Sequence, residues 1–481
     1  MILIPVSFLP LLGWKMSAEA RPDVLRVPTD YATIQAAINN ATSGDTILIQ
    51  KGMYYEDIVI NKSVSLVGED RDSSIIYGHT AQYVISITAS NVNLEDLTIA
   101  KNEPNAVASG IFIASVGNII QNNRIANNSG GLVIYSSGNN VISDNDISNN
   151  YNGVNLYFSS NNVISGNNIT NNIDGIDLYF SSNNMFSGNV VEDNDNGVSA
   201  YSSSHVNTFY HNNFNNTLQV STDSTNVWNY SGEGNYWADY IGQDLNSDGI
   251  GDQPYSIDSN NKDDYPLVGG FSDFKVVFRN ETYHVTLISN STVSDLRFGI
   301  GEETGNKIIQ FNVNNGHDNR GFCRIMIPTD LMTSPFIIHD EVEEISPTLL
   351  SATNSTNAYL YFTYFNGSQA IAVISSKELY LYNEILNSSL NLQMELGNLN
   401  ATYSSLLNNY SALLNNFTEL LSKYNALNSS YQGHLLDDSK NAQNTQNLAY
   451  IFAAMTAIFL VTIAYLSKHS HSSVKQKAQS D

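Results

Sequence analysis

Between residues 110 and 215 apolar and polar positions alternate in short runs, as in Val154-Asn155-Leu156-Tyr157-Phe158, each broken by Asn, Gly or Ser. A period of two marks β-strands with one buried face. The runs recur as blocks. Asn140-Val141-Ile142-Ser143-Asp144-Asn145-Asp146-Ile147 returns at 162–169 and 184–191, is preceded by 118–125, and returns with one inserted residue at 207–214. Gly131, Gly153, Gly175 and Gly197 keep a constant step of about 22 residues, as do Tyr135, Tyr157, Tyr179 and Tyr201.

A unit of this length is too short for a helix pair. It holds three short strands and three turns, one coil of a right-handed parallel β-helix. Stacked coils then build internal ladders: Ile125, Ile147, Ile169 and Val191 in one, Leu132, Val154, Ile176 and Val198 in another. Asn123, Asn145, Asn167, Asn189 and Asn212 form an amide ladder at a turn, where Asn tolerates left-handed backbone. The recurrent glycines are expected at a tight turn. A leucine-rich repeat has a similar period, but its Leu-x-x-Leu-x-Leu pattern is absent. Upstream, residues 28–38 read as a short amphipathic helix capped by Asp30 and plugging the open end of the solenoid.

Asp45-Thr46-Ile47, followed by Gly52, Tyr54, Glu56, Ile58, Ile60 and Lys62 at alternate positions, resembles the opening of pectin-lyase-like β-helices. Gly234-Asn235-Tyr236-Trp237-Ala238-Asp239-Tyr240, then 248–257 and Asp263-Asp264-Tyr265-Pro266-Leu267, resemble the C-terminal edge of NosD-like repeat proteins, many of them archaeal surface proteins. The resemblance covers about residues 25 to 270. It implies the fold. The family name implies copper handling, or carbohydrate binding and sugar hydrolysis, and a shared fold does not transfer either activity.

The expected order is a signal peptide at 1–20, a β-helix at 21–270, a β-sandwich at 271–376, a coiled-coil stalk at 377–446, a transmembrane helix at 447–467 and a cytoplasmic tail at 468–481. The chain is thus all-β in its folded ectodomain apart from the short capping helix, with long helices only towards its end. The sandwich rests on alternating strands such as Tyr359-Leu360-Tyr361-Phe362, and resembles a module of archaeal surface proteins. The stalk rests on Leu399, Tyr403, Leu406, Tyr410, Leu413, Phe417, Leu420, Tyr424, Leu427 and Tyr431, spaced by four and three, a seam suited to a homo-oligomer. Residues 448–466 carry no charge, and Lys468, Lys475 and Lys477 follow, which places the tail inside and the rest at the cell surface.

Charge narrows the choice of partners. With 46 acidic and 21 basic residues the net charge is −25, which excludes nucleic acid as a partner because phosphates would go unneutralised. Recurrent Asn-x-Ser/Thr sequons, among them Asn127, Asn280 and Asn416, suit a glycoprotein. The single cysteine, Cys323, allows no intrachain disulfide and is expected as a buried thiol.

Two candidate sites follow. Tyr135, Tyr157, Tyr179 and Tyr201 fall out of phase with the inward residues, so they face outward with Asn155 and Asp177 beside them. Exposed stacked rings suit a glycan ligand, or else form a purely structural ladder. Asp244, Asn246, Asp248 and Asp252, with the carbonyl of Ile250 and Gly249 at the bend, form most of a calcium loop, or else a polar turn; Tyr255 stands where the last carboxylate would be. Asp144, Asp146, Asp174, Asp193 and Asp195 read as solvated turn acids, with a hydrolase or lyase pair as the alternative. Copper would need clustered soft or imidazole ligands, and of the histidines only His205 and His211 share a coil.

Overall fold

The computed structural model describes residues 23–79, 82–101, 108–316, 320–340, 343–365, 367–375, 377–435 and 444–477. The expected signal peptide lies outside them. The chain divides into two compact units, Met1–Tyr382 and Asn383–Asp481.

The first unit opens with the solenoid. Three parallel sheets run along it: nine strands from Val24–Val27 to Thr208–Tyr210, nine from Gly52–Tyr55 to Tyr236–Trp237, and eight from Ile58–Ile60 to Leu218–Thr222. In the first sheet Ile120, Ile142, Ile164, Phe186 and Phe209 stand in register; in the second, Ile125, Ile147, Ile169, Val191 and Phe214 do. All ten are fully buried. Both ladders turn aromatic towards the C-terminal end. Phe186, Phe209 and Trp228 stack at 4.6 and 4.5 Å, and Phe214 stacks on Trp237 at 4.6 Å. Larger side chains there fill the mouth as the repeat runs out.

The turns of the central coils carry buried amides. One Asn ladder was expected; three are present. They run through Asn118, Asn140, Asn162 and Asn184, through Asn123, Asn145, Asn167 and Asn189, and through Asn128, Asn150, Asn172 and Asn194. Asn145 is typical. Its Nδ2 donates to Asn167 Oδ1 at 2.9 Å and to Ile120 O at 2.9 Å, and its backbone N–H donates to Asn167 Oδ1 at 3.0 Å. The left-handed residue at this turn is the one before the ladder Asn: Asn122, Asp144, Gly166 and Gly188 have positive φ. At its C-terminal end each ladder finishes on a different acceptor, with Asn226 N–H on Asn261, Asn235 N–H on Asp263 and Asn216 N–H on Gln219.

Two expectations are corrected. The N-terminal helix α1 spans Ile34–Asn40, and its cap is Thr33, whose side chain accepts from Ala36 N–H. Asp30 instead accepts from Arg26 N–H, and Glu56 takes the N–H groups of Ile34 and Gln35. Gly131, Gly153, Gly175 and Gly197 are not at tight turns. They lie within strands of the third sheet and lack positive φ.

The sandwich follows from Gly270, as two five-stranded antiparallel sheets. Its core holds Phe311, Ile325, Leu360 and Cys323. Burial pushes the Cys323 thiol up to about 12, so the expected inert thiol is found. Beyond it, α2 spans Lys377–Leu435 and α3 spans Asn444–Lys477. The heptad residues of α2 are exposed along the chain, from Leu399 to Leu427, while Phe417 stacks on Phe459 at 5.8 Å. Among the described residues no helix is long and apolar enough to cross a membrane. Side chains of the expected span are described only for 449–465.

Candidate functional site

The outer face of the third sheet carries the expected tyrosines. Tyr135, Tyr157, Tyr179 and Tyr201 are in register on successive coils, because inward Ile134, Leu156, Leu178 and Ala200 precede them by one residue. Tyr135, Tyr179 and Tyr201 are 45%, 40% and 36% exposed, and Tyr157 is half-buried. Asn155 and Asp177 occupy adjacent outward positions, as expected. Asn155 is buried and Asp177 half-buried.

The aromatic surface is larger than the tyrosine ladder. Phe158 stacks on Phe180 at 5.1 Å with ring planes 7° apart, Tyr179 meets Phe180 edge-on, and Phe112 stacks on Tyr83 at 4.2 Å. Phe158 and Phe180 have φ of 52° and 51°, a left-handed conformation that costs a bulky L-residue of order 1–3 kcal/mol. That conformation turns both rings outward, 52% and 45% exposed. The signal was in the sequence: Phe158 and Phe180 follow Tyr157 and Tyr179 directly and keep the same step.

Asp174 also belongs to this face. Residues three apart on a regular strand point to opposite sides. Here Asp174 accepts from Asn196 Nδ2 at 2.8 Å and Ser199 Oγ at 2.9 Å, although Ser199 is the register partner of Asp177. Asp177 accepts from Asn152 Nδ2 and Tyr157 Oη, both at 3.3 Å. The two carboxyls therefore share one patch. Burial, aided by the charge of Asp174, pushes Asp177 up to about 6. The Tyr157 phenol is raised by burial and then by Asp177.

The acidic loop closes on itself. Asp244 accepts from the N–H groups of Asp248 and Gly249 at 3.1 and 2.8 Å, and Asp248 from Ile250 N–H at 2.9 Å. Asn246 Nδ2 donates to Asp248 at 2.9 Å, and Asp252 accepts from Leu245 N–H at 2.6 Å. Gly249 has φ of 83° and lies against the Arg324 side chain. Burial raises the Asp244 carboxyl. The loop borders a cavity of about 370 Å³ lined by Glu233, Asn246, Asp248, Ile250, Arg324 and Thr348 among others.

The described imidazoles and the thiol are engaged separately. His211 Nε2 is on Glu233 at 2.6 Å, His205 Nδ1 accepts from Thr225 N–H at 3.4 Å, and the Cys323 thiol faces Ser289. Among the described residues no three His, Cys, Asp or Glu side chains are grouped to hold a metal ion.

Residues 38–242 match the family described as periplasmic copper-binding protein (NosD). The match falls on the stacked parallel coils, so this part of the chain is similar to NosD and folds as a right-handed parallel β-helix. No functionally curated protein is significantly similar to the chain. Similar solved structures include pectate lyase Pel9A, with TM-score 0.35, 14% identity, 45% of this chain and 74% of the other covered. The pectin methylesterase PemA from Erwinia chrysanthemi scores 0.26 at 13% identity, covering 37% and 78%. The Dettilon tailspike protein scores 0.30 at 10% identity, covering 73% and 94%.

Proposed function

We propose that this chain is a membrane-anchored cell-surface protein whose β-helix binds glycan on the outer face of its third sheet. The observation that carries the reading is the pair Phe158 and Phe180, held left-handed on successive coils with rings exposed beside the tyrosines. Flat apolar rings flanked by amide and carboxyl groups suit a sugar's apolar face and its hydroxyls. A glycan array with the full-length protein tests it. Tyr179→Ala and Phe180→Ala are expected to weaken capture of any bound glycan at least tenfold. Unchanged capture would rule this face out.

A second reading, a polysaccharide hydrolase or lyase, is favoured by one observation. Burial and the charge of Asp174 push the Asp177 carboxyl up to about 6, which suits a general acid acting on a sugar. Release of reducing or unsaturated ends, lost in Asp177→Asn, would establish it.

The anchor is the uncharged run 448–466 with its basic flank. Proteolysis of intact cells is expected to remove the ectodomain and spare an epitope after Lys477. The exposed α2 seam is the surface for a homo-oligomeric stalk. Calcium is proposed in the loop of Asp244, Asn246, Asp248, Ile250 and Asp252, with modest affinity of about 10⁻⁴ to 10⁻³ M because the last carboxylate is missing. Millimolar calcium is expected to raise the melting temperature of the wild type and leave Asp248→Ala unmoved; no rise in the wild type means a polar turn.

A further inference from the structure

The glycan-facing patch offers acceptors and no positive charge. Between Lys101 and Lys262 the only Lys or Arg in the sequence is Arg124. Its guanidinium lies on the second sheet, 2.8 Å from Asp72 and 3.4 Å from Asp146. On the third sheet Asp174 and Asp177 receive, among the described residues, neutral donors from Asn152, Tyr157, Asn196 and Ser199. Asn155 stands in register beside Asp177, 5% exposed, between the inward residues Val154 and Leu156. Its Oδ1 has no hydrogen-bond partner, and neither does Oδ1 of Asn152. Two carboxyls and two orphan amide oxygens thus sit under a ridge of exposed rings.

A ligand suited to this patch must bring donors and positive charge. A uronate adds a third carboxylate, which two half-buried carboxylates repel. A neutral sugar brings hydroxyls, which serve the amide oxygens but leave the carboxylate repulsion in place. A protonated amino sugar brings a compact cation with three N–H donors. Its charge is also favoured over the faces of Tyr and Phe rings.

We infer that this face takes a polymer of protonated amino sugars, with its ammonium groups drawn to Asp174 and Asp177 and its ring faces laid on Tyr179 and Phe180, and that it rejects polyuronates. The inference rests on the reading of this face as a glycan surface. Calorimetry on the full-length protein in detergent, titrated separately with hexamers of glucosamine, N-acetylglucosamine and galacturonate, tests both. The glucosamine hexamer is expected to bind at least tenfold tighter than its acetylated form, with the advantage shrinking as salt is added. Galacturonate is expected not to bind. Asp174→Asn with Asp177→Asn is expected to erase the preference while the acetylated hexamer still binds. Equal binding of all three, abolished by Tyr179→Ala, would overturn the charge preference and keep the glycan surface. Tighter binding of galacturonate would overturn the preference as well. Failure of every hexamer to bind would sink the inference and the surface together.

Discussion

A methyl group on Gly153 would meet the carbonyl oxygen of Gly175 at 2.6 Å and Ile169 Cγ2 at 2.8 Å. Neither neighbour is the free end of a flexible side chain, so the coils themselves must part. Gly153→Ala is expected to destabilise the solenoid by about 1–3 kcal/mol, read by chemical denaturation. Asp177 makes the opposite kind of prediction. Its carboxyl is raised in the folded protein, so its favourable contribution is complete below the ordinary carboxylate range and is lost as pH rises through about 6. Asp177→Asn is therefore expected to be more stable than the wild type at pH 8, by about 1 kcal/mol after allowing for solvent screening. The gap is expected to close by pH 4. A gap independent of pH would mean that this carboxyl is not raised on folding.

The repeating element was legible because each coil imposes the same requirement at the same step. Ile147, Ile169 and Val191 must be apolar, and Asn145, Asn167 and Asn189 must carry an amide, wherever the coil below presents its partner. Two of the three Asn ladders escaped notice because Asn is abundant at exposed turns too, and composition alone does not say which amides are buried. The role of the glycines was misread for a related reason. A tight turn and a close approach between coils both demand the absence of Cβ, and only coordinates separate them. Asp174 reads as a solvated turn acid from the sequence, because simple alternation does not place it beside Asp177; its bonds to Asn196 and Ser199 do. Asn167 tests the ladder directly. Its amide bridges Asn145, Asn189 and Ile142 O. Asn167→Leu strands the Asn145 N–H and the Ile142 carbonyl, and is expected to cost roughly 1–3 kcal/mol. A neutral melting curve would mean that the buried amides compensate locally.

Within the first unit, solenoid and sandwich are joined by buried contacts. Asn213 and the backbone of Phe271 exchange hydrogen bonds of 2.7 and 2.8 Å, and the His211 ring stacks on Phe271 at 4.1 Å. Glu233 accepts from His211 and pairs with Arg324, which is 4% exposed and lies over the Tyr359 ring. Burial alone would raise the Glu233 carboxyl, but the bond from His211 and the charge of Arg324 outweigh it and hold the group at about 2. A carboxyl lowered on folding contributes stability that is complete above its ordinary value near 4.5 and is lost as pH falls towards 2. Glu233→Gln leaves a buried guanidinium without its counter-charge, a loss of about 3–5 kcal/mol at neutral pH. Melting of wild type and variant should therefore differ widely at pH 7 and converge near pH 2. Lys275 and Asp144 bridge the same two domains at 2.6 Å but are 54% and 43% exposed, so Lys275→Ala should shift melting little at either pH. If Lys275→Ala matched Glu233→Gln in size, surface charge rather than the buried Glu233–Arg324 pair would be what joins solenoid to sandwich.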